Sequence, residues 1–390
     1  MLIAHVITRL LRAGSEENTI ATCLAQASSG HDVVLIHGND WDRSHATDCG
    51  SVIRLIELKE LVHEVNPRKD LAATRKMRAL FRAMRPAVVH THQSKAGIVG
   101  RVAARLAGVP FIVHGVHTLP FVNVSRAKKT MYLAAERAVA PFTDAFINVS
   151  NGTRRLCLDH SVGRPSQHFV AHSGMNTSSF RGAAWPKDWR NLVGIAGSDP
   201  KPPIVLMLAA LEPRKRHAGF IEAFNRVLER APSTRLLIAG EGPARDAVEA
   251  AIERSGSGSN VRLLGFSHEP ERLIALSDLT VLTSTREGLP RVIVQSLAGG
   301  RPAITTDLPG IEELVKTDVN GIVTPSDNLD ATADAVAELL SDPLRLARLQ
   351  AGAAATDVSS WTLDSMCVAV SDIYARIMRD ARSVDPHPPS

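Results

Sequence analysis

Short apolar runs alternate with amphipathic stretches along most of the chain, and this alternation occurs twice. We predict strands in LIAHVIT, DVVLIHG, AVVHTH, PFIVHGV and DAFINVS, and then in PPIVLMLAA, TRLLIAGEG, VRLLGF, LTVLTS and RPAITTD. Between them, RHAGFIEAFNRVLERAP and PARDAVEAAIERSG have apolar residues at helical spacing. Apolar strands that are separated by helices are typical of parallel sheets covered on both faces.

The repeated pattern predicts an α/β fold with two doubly wound, Rossmann-like domains. We place the N-terminal domain at residues 1–185 and the C-terminal domain at residues 195–360, because the segment between them is rich in Gly, Pro and Trp. A final helix at about residues 362–385 is predicted to pack back on the first domain. Ligands of such folds bind at the carboxyl ends of the strands, so we expect the two sheets to face across a cleft.

The composition excludes several classes of protein. Hydrophobic residues make up 44% and charged residues 22% of the 390 positions, which is ordinary for a globular chain of more than one domain. Aromatic residues reach only 4%, so we predict no nucleic-acid partner, because base stacking needs them. The net charge of +5 permits an anionic partner such as a phosphate or an acidic lipid surface. Only the end of the chain, VDPHPPS, is typical of a disordered tail.

The N-terminus and the cysteines favour a cytoplasmic location. Arg9 and Arg12 interrupt the first apolar run too early for a secretory signal, and no stretch of 18 apolar residues is free of charge. The four cysteines are scattered without the spacing of a metal site, so we expect reduced thiols.

The most informative segment is TSTREGLPRVIVQSLAGGRPAITTD. Glu287 follows a predicted strand, Gly288 permits a close approach of the backbone, and Pro290 suits the first turn of a helix. The N–H groups at a helix start favour an anion such as a diphosphate. Gln295 lies slightly more than two turns after Glu287, so both side chains can bracket a sugar nucleotide. The alternative is an ordinary loop whose acid only caps the helix.

This segment resembles the signature of the family 4 glycosyltransferases, which are retaining enzymes of the GT-B fold. The resemblance continues in LLIAGEGPARDAVE and AALEPRKRHAGFIEAF. It reaches the first half in HVITRLLRAGSEENT and PAVVHTHQSKAGIVGRVAARLAGVPFIVHGVHTLPF, which resemble capsular and exopolysaccharide members. It implies transfer of a sugar from a nucleotide-diphosphate sugar, with a UDP-sugar expected, to a lipid-linked saccharide in surface polysaccharide biosynthesis. It implies neither a metal ion nor another cofactor.

The resemblance also implies that residues 1–185 form the acceptor-side domain and residues 195–360 the nucleotide-sugar-binding domain, and it implies roles for particular residues. Glu287 would hold the donor sugar, Lys215 the diphosphate, and His117 the sugar or the phosphate. Gln295 would bind the ribose. The same resemblance adds further positions to the donor site: Gly14, Arg214, Gly265, Phe266, Gly288, Leu289 and Pro290.

Two positions depart from the family's pattern. The second acid of the signature is Gln295 here, and an amide can bind two hydroxyls but lacks the charge-assisted component. The arginine of the G-R-L-x-P-x-K motif is Ala210, so Arg214 or Arg216 would have to supply the missing cation. The loss of one such contact costs about 1.5–3 kcal/mol, which bears on donor affinity more than on the fold.

Four histidines cluster in the strand-ending motifs of the first half: His90, His92, His114 and His117. The His-x-His spacing is compatible with a metal, but no carboxylate or cysteine completes a ligand set, so we predict none. For His117 the alternative to a ligand contact is a hydrogen-bonded histidine at a strand end.

Two other positions in the first half have local interpretations. Lys95 lies at the start of a predicted helix, where a cation opposes the helix dipole, and this conflict favours an anionic ligand such as an acceptor's phosphate. Gly14 would allow close approach near the diphosphate or the acceptor. The alternative is a plain turn with Asn18 or Thr19 near the helix start.

The segment NPRKDLAATRKMRALFRAMRP predicts a basic amphipathic helix, with cations at Arg68, Lys69, Arg75, Lys76, Arg78, Arg82 and Arg85. Such a helix can rest on the anionic inner face of a membrane, where a lipid-linked acceptor lies. An ordinary surface helix is the alternative.

Two other functions remain open. A UDP-sugar 2-epimerase shares the two-domain architecture and would use the histidines and acids, although EGLPRVIVQSLAGG matches the transferase better. Ala210 and Gln295 also allow a degenerate donor-binding partner subunit.

Overall fold

The structure is a computed structural model that describes residues 1–197 and 199–384, in two compact units. The first unit comprises Met1–Met175 and the C-terminal segment from Ser360, and the second comprises Asn176–Ser359. The first junction therefore falls before the Gly- and Pro-rich segment in which the sequence analysis placed it. The predicted disordered tail, apart from Val384, lies outside the described residues.

A seven-stranded parallel sheet forms the centre of the first unit, in the order β3-β2-β1-β4-β5-β6-β7. Its strands are β1 (Leu2–Ile7), β2 (Asp32–His37), β3 (Arg54–Glu57), β4 (Val88–His92), β5 (Phe111–Val116), β6 (Ala145–Asn148) and β7 (His168–Val170). The helices that follow these strands are α1 (Gly14–Ser28), α2 (His45–Cys49), α3 (Pro67–Met84), α4 (Ser94–Ala107), α5 (Arg126–Val139) and α6 (Asn151–Asp159).

A six-stranded parallel sheet forms the centre of the second unit, in the order β10-β9-β8-β11-β12-β13. Its strands are β8 (Ile204–Leu208), β9 (Arg235–Ala239), β10 (Val261–Gly265), β11 (Leu279–Leu282), β12 (Ala303–Thr306) and β13 (Gly321–Thr324). Its helices are α7 (Trp189–Val193), α8 (His217–Ala223), α9 (Asn225–Arg230), α10 (Arg245–Ser255), α11 (Pro270–Leu276), α12 (Arg291–Ala298), α13 (Leu329–Ser341) and α14 (Pro343–Ala354).

The central strands of the first sheet, β1 and β4, are buried along almost their whole length because helices cover both faces of the sheet. Phe81 of α3 packs with Val6 on one face. On the other face, Ile373 of the last helix, α15 (Leu363–Val384), packs with Ile3. The two helices bury β1, which pairs with β2 on one side and β4 on the other, so this strand is central to the core.

The α/β class and the two parallel sheets are confirmed, and each of the ten predicted strands is present. Three further strands, β3, β7 and β13, were not predicted. The predicted helix RHAGFIEAFNRVLERAP is wrong as a single element, because it divides into α8 and α9 at Phe224. There the backbone makes the tighter i to i−3 bonds, from Phe224 N to Ile221 O and from Val227 N to Phe224 O.

A buried ion pair connects α4 and α5. The Arg101 side chain is fully buried, and its Nη2 donates to Glu136 Oε2 over 2.6 Å. Its Nε donates to the Gly97 carbonyl oxygen at 2.7 Å, and its Nη1 donates to Thr143 Oγ1 at 3.2 Å. All three guanidinium nitrogens therefore have partners, which such a buried charge requires.

We expect Glu136→Ala to lower the free energy of unfolding by about 3–5 kcal/mol, because it leaves the Arg101 charge buried without its counter-ion. Glu60→Ala is the matched control, since it breaks the more exposed Lys76–Glu60 pair of the same unit and should have a much smaller effect. Urea denaturation followed by circular dichroism measures both. Equal losses in the two variants would contradict this account of the ion pair.

Candidate active site

The second sheet has a topological switch point between β8 and β11. The chain order runs outward to β9 and β10 on one side and to β12 and β13 on the other. Ligands of doubly wound folds bind beyond the carboxyl ends of the two strands at such a point. The loop after β8 contains Arg214 and Lys215, and the loop after β11 contains Glu287, so the predicted catalytic and diphosphate residues flank the switch point.

Glu287 lies between two cations at this point. Lys215 Nζ is 2.5 Å from Glu287 Oε1, and Arg214 Nη1 is 3.0 Å from Oε2. Ser284 Oγ also donates to Oε1, over 2.6 Å. The side chains of Glu287 and Lys215 are only 9% and 12% exposed, so these charge-assisted bonds are little weakened by water.

The surrounding charges decide the ionisation of Glu287. Burial by itself would raise the pKa of this carboxyl, but the charges of Lys215 and Arg214 outweigh burial and hold the pKa below its ordinary value. Burial likewise opposes the charge of Arg214, yet Glu287 and Glu212 raise the pKa of its guanidinium. The carboxylate and the guanidinium are therefore charged at neutral pH.

The two loops are joined directly to each other. Thr285 N donates to the Arg214 carbonyl oxygen at 2.9 Å, and Thr283 Oγ1 donates to the Lys215 carbonyl oxygen at 2.7 Å. These bonds fix the backbone positions from which Lys215 and Arg214 reach Glu287.

The structure distinguishes between the two candidates for the missing cation, Arg214 and Arg216. Arg214 faces Glu287, whereas Arg216 donates from Nε to the Thr283 carbonyl oxygen and from Nη1 to the Ser326 carbonyl oxygen, at 2.7 Å each. Arg216 also has a φ of +54°, which turns its side chain away from that of its neighbour. Ala210 is exposed in the same loop.

The remaining predicted donor residues lie in two places. Gly288, Leu289 and Pro290 connect Glu287 to α12, and Pro290 is the residue before the helix rather than part of its first turn. Gln295 is partly exposed in the second turn of α12, and its amide makes no side-chain hydrogen bond within residues 1–197 and 199–384.

Gly265 and Phe266 lie farther along the same edge. Gly265 ends β10, the strand two positions from β8, and it has a φ of +72°. The Phe266 side chain is 63% exposed. Both residues thus lie at the carboxyl edge of the sheet, but on its outermost strand rather than at the switch point.

The first unit places its candidates at the carboxyl edge of its own sheet. The strand order reverses between β1 and β4, so Gly14, the first residue of α1, and Lys95, in the first turn of α4, flank this switch point. His117 directly follows β5. The alternative that placed Asn18 or Thr19 near the helix start is wrong, because both are buried within α1, which begins at Gly14.

Lys95 has partners inside its own unit. Its Nζ is 2.7 Å from Asp70 Oδ1 and also donates to the Glu64 carbonyl oxygen. The unfavourable position at the start of α4 is therefore offset by Asp70, so the local conflict no longer argues for an anionic ligand. A role for Lys95 as an anion ligand stays a prediction.

Sequence reasoning missed a buried carboxyl at the same edge. Glu16 accepts hydrogen bonds from Ser15 Oγ and, at 3.1 Å, from Gln93 Nε2, and burial raises its pKa. Gln93 precedes α4 with a φ of +62°, a conformation that is uncommon outside glycine and often found at functional sites. Glu16 is in the first turn of α1, where an exposed acid would also suit the helix dipole, so the sequence contained no signal of its burial.

Four histidines form a cluster on one face of the first sheet, and all but the partly exposed His117 are buried. His5 Nδ1 is 2.9 Å from His92 Nε2, and His92 Nδ1 is 3.0 Å from His117 Nε2. His90 Nδ1 is 2.9 Å from the Tyr374 hydroxyl. His5, which is paired in register with His90, was missed in the sequence.

His114, in contrast, does not belong to this cluster, so its predicted membership is wrong. It lies on the other face of the sheet, hydrogen-bonded to Thr91 over 2.9 Å, because neighbouring side chains of a strand point to opposite faces.

The cluster bears on the prediction that no metal is bound. One ring nitrogen from each of His5, His90 and His92 lies within 4.8 Å of the others, which is a possible ligand group for a metal ion. However, His5 and His92 already bond to each other, and a direct imidazole–imidazole bond uses one nitrogen of each. The absence of a metal stays a prediction.

The histidines are neutral near pH 7. Burial lowers the pKa of His5 and of His117 to about 4, and it lowers the pKa of His90 and His92 well below the ordinary value. A neutral imidazole has one N–H donor and one acceptor nitrogen, so the cluster can form hydrogen bonds without a buried charge.

The basic segment forms α3, with its apolar face turned inward. Met77 and Phe81 are buried against the sheet, while Arg75, Lys76 and Arg82 are exposed. Within the described ranges 1–197 and 199–384, no helix is both long and apolar enough to cross a membrane.

Acid should destabilise the protein at a pH where carboxyl groups are still ionised. The folded pKa of His5 and of His117 is below the unfolded value of 6.5, so the unfolded chain binds more protons in this window and stability falls as the pH drops below about 6.5. Unfolding at pH 5 should take up about one proton at each of these two residues. The raised pKa values of Glu16 and Asp144 oppose this trend, but the buried histidines with lowered pKa values outnumber these two carboxyls.

Urea denaturation midpoints between pH 7.5 and pH 5 measure this effect. A midpoint that stays constant or rises on acidification would show that these histidines are not held neutral in the folded state.

Comparison with known proteins supports the resemblance to glycosyltransferases that the sequence motifs indicate. Residues 190–356 match the profile of the family Glycosyl transferases group 1, and residues 14–173 match that of the Glycosyl transferase 4-like domain. The UDP-Gal:alpha-D-GlcNAc-diphosphoundecaprenol alpha-1,3-galactosyltransferase of Escherichia coli is 27% identical, over 87% of this chain and 88% of that protein. The alpha-D-kanosaminyltransferase of Streptomyces kanamyceticus is 27% identical, over 74% of this chain and 77% of that protein.

Solved structures show the same fold. The crystal structure of Anabaena HepE in complex with UDP superposes with a TM-score of 0.79 at 19% identity, covering 96% of this chain and 100% of that one. The UDP-sugar 2-epimerase alternative finds no support in these matches. With both halves matched by glycosyltransferase profiles and two parallel sheets of the expected kind, the chain belongs to the family 4 glycosyltransferases and has the GT-B fold.

Proposed function

We propose that this glycosyltransferase moves a sugar from a UDP-sugar to a hydroxyl of a lipid-linked saccharide, with retention at the anomeric carbon, in surface polysaccharide biosynthesis. The observation that carries the proposal is the position of Glu287 between Lys215 and Arg214 at the switch point of the second sheet. The E. coli relative, named for a UDP-galactose donor and a diphosphoundecaprenol-linked acceptor, supports the choice of substrates. So do the HepE complexes with UDP and with UDP-glucose.

The donor diphosphate binds to Lys215 and Arg214, the two cations that pair with Glu287 when no donor is bound. Glu287 keeps the nearly buried Lys215 paired and oriented while no donor is bound. Phosphate oxygens then replace the carboxylate oxygens on Lys215 and Arg214, because both kinds of oxygen accept charge-assisted hydrogen bonds. The released carboxylate accepts hydrogen bonds from the hydroxyls of the sugar.

The chemistry requires no protein nucleophile. The bond between the anomeric carbon and the diphosphate oxygen breaks, and the acceptor oxygen forms the new bond on the same face of the sugar. The proton of the acceptor hydroxyl passes to the leaving phosphate oxygen. Lys215 and Arg214 stabilise the negative charge that develops on the diphosphate, and such preorganised donors supply a large part of catalysis in enzymes.

The two departures from the family's pattern are compatible with an active enzyme. Arg214 supplies a cation beside Glu287, which offsets the loss at Ala210. The Gln295 amide, on the second turn of α12, binds the two ribose hydroxyls as a neutral donor and acceptor.

We further propose that the enzyme works in the cytoplasm, against the inner face of the membrane, through the exposed cations of α3. The contact is electrostatic rather than insertive, because Met77 and Phe81 are already buried in the sheet. Anionic lipids attract such cations with about 1 kcal/mol for each one close to the surface.

Lys215→Ala should lower kcat about 10²–10³-fold, because it removes a cation from the leaving diphosphate. UDP release from UDP-sugars in the presence of acceptor extracts measures the rate, and Glu287→Ala should also be strongly impaired. The matched control is Lys201→Ala, which removes a lysine that pairs with Asp278 in the same unit, at the opposite end of β8. Its rate should stay near that of the wild type.

The wild-type assay also distinguishes the other functions. Tight nucleotide binding without turnover for any acceptor would favour the degenerate partner subunit, and a Lys215→Ala variant as active as the wild type would contradict the proposed mechanism.

Replacing Arg75 and Arg82 together by Glu should weaken binding to vesicles rich in phosphatidylserine by about thirtyfold or more, since at least two attractive contacts are lost. Co-sedimentation with vesicles measures the affinity. The control reverses two exposed charges of the second unit, Arg254→Glu with Arg348→Glu, and should be milder. Equal weakening in both variants, or no binding by the wild type, would contradict a specific contact through α3.

A further inference from the structure

A single file of hydrogen bonds connects a buried glutamine to His117. Gln26 Oε1 is 2.8 Å from His5 Nε2, and His5 Nδ1 is 2.9 Å from His92 Nε2. His92 Nδ1 is in turn 3.0 Å from His117 Nε2. Gln26, His5 and His92 are buried, and only His117, at the far end, is partly exposed. The file therefore leads from the interior to a position where a ligand can be contacted.

The strands pack closely around the file. A Cβ atom at Gly115 would lie only 3.0 Å from His92 Nδ1 and 3.2 Å from His117 Nε2, so a larger residue there would press on the two rings where they meet. Water has little access to the inner members, so each imidazole must satisfy its nitrogens through its neighbours in the file.

Hydrogen-bond chemistry allows such a file only two states. Each neutral imidazole donates from one nitrogen and accepts at the other, so all three rings must donate in the same direction. An amide oxygen accepts and cannot donate. Because Gln26 presents Oε1, His5 donates to it from Nε2. His92 then donates from Nε2 to His5, and His117 donates from Nε2 to His92.

We propose that Gln26 is a positioning residue that fixes the tautomer of His117 through His5 and His92, so that the outer nitrogen of His117, Nδ1, is a hydrogen-bond acceptor. An acceptor nitrogen takes a hydroxyl of the sugar or of the acceptor and disfavours a phosphate oxygen, which cannot donate. This assignment rests on the proposed transferase function for its consequence, but the tautomer itself is a property of the free protein.

The test is the nitrogen NMR spectrum of the full chain labelled with ¹⁵N-histidine, without substrate. Protonated and unprotonated imidazole nitrogens have well-separated chemical shifts, and the signals of His117 are assigned by their loss in His117→Gln. We expect Nε2 of His117 to be protonated and Nδ1 to be unprotonated. The opposite tautomer would mean that the Gln26 amide is reversed, and it would overturn the proposal.

Variants test whether Gln26 is the cause. Gln26→Leu removes the acceptor, so His117 should show a mixture of both tautomers, and kcat/KM should fall about tenfold, which corresponds to one lost hydrogen bond. Gln26→Glu keeps an acceptor oxygen and should restore the wild-type tautomer. The matched control is Gln167→Leu, which removes another buried glutamine of the same unit, one that donates to the Thr143 carbonyl oxygen outside the file.

The outcomes separate this proposal from the proposed function. A Gln26→Leu spectrum identical to that of the wild type, or an equal change in Gln167→Leu, would overturn the role of Gln26. If the variants do not fold, the wild-type spectrum still tests the proposal, because the opposite tautomer of His117 would overturn it. A chain that shows the expected tautomer but transfers no sugar would contradict the transferase proposal and leave the positioning role of Gln26 intact.

Discussion

The interaction on which the site depends is the pairing of one nearly buried carboxylate with two cations from another loop. Glu287 contributes a single negative charge to Lys215 and Arg214, and their attraction outweighs the cost of burying it. Because the two loops follow the strands at the switch point, the contact also ties β8 to β11 where ligands of this fold class bind. The contact of Glu287 with Lys215 and Arg214 thus connects the two loops, and it also places two cations where a diphosphate can bind.

Periodicity predicted the fold well wherever a strand is buried on both sides. The three strands that it missed are all at sheet edges: β3 and β7 in the first sheet and β13 in the second. An edge strand such as His168–Val170 has only three residues, too few to show an alternating pattern, so its conformation is set by pairing with one neighbour rather than by its own pattern. The division of the helix at Phe224 is a similar case, since apolar spacing continues across the break and gives no sign of it.

The sequence segment around Glu287 was enough to locate the candidate site. The geometry inside the site depends on contacts between residues that are distant in the sequence. Sequence could not choose between Arg214 and Arg216, because the choice is made by the φ of +54° at Arg216 and by carbonyl oxygens at Thr283 and Ser326. The conflict of Lys95 with the dipole of α4 suggested an anionic ligand because its partner, Asp70, is on another helix. His5 and Glu16 were missed for the same reason: the sheet and the packing of α1 bring them to their partners, and nothing nearby in the sequence indicates it.

In the proposed mechanism, Lys215 and Arg214 exchange the Glu287 carboxylate for the diphosphate of the donor. A crystal structure of the full chain with bound UDP tests this claim most directly. We expect phosphate oxygens of UDP within about 3.2 Å of Lys215 Nζ and of the Arg214 guanidinium, and we expect the ribose beside Gln295. A diphosphate bound away from both cations, with the Glu287 pairs unchanged, would contradict it.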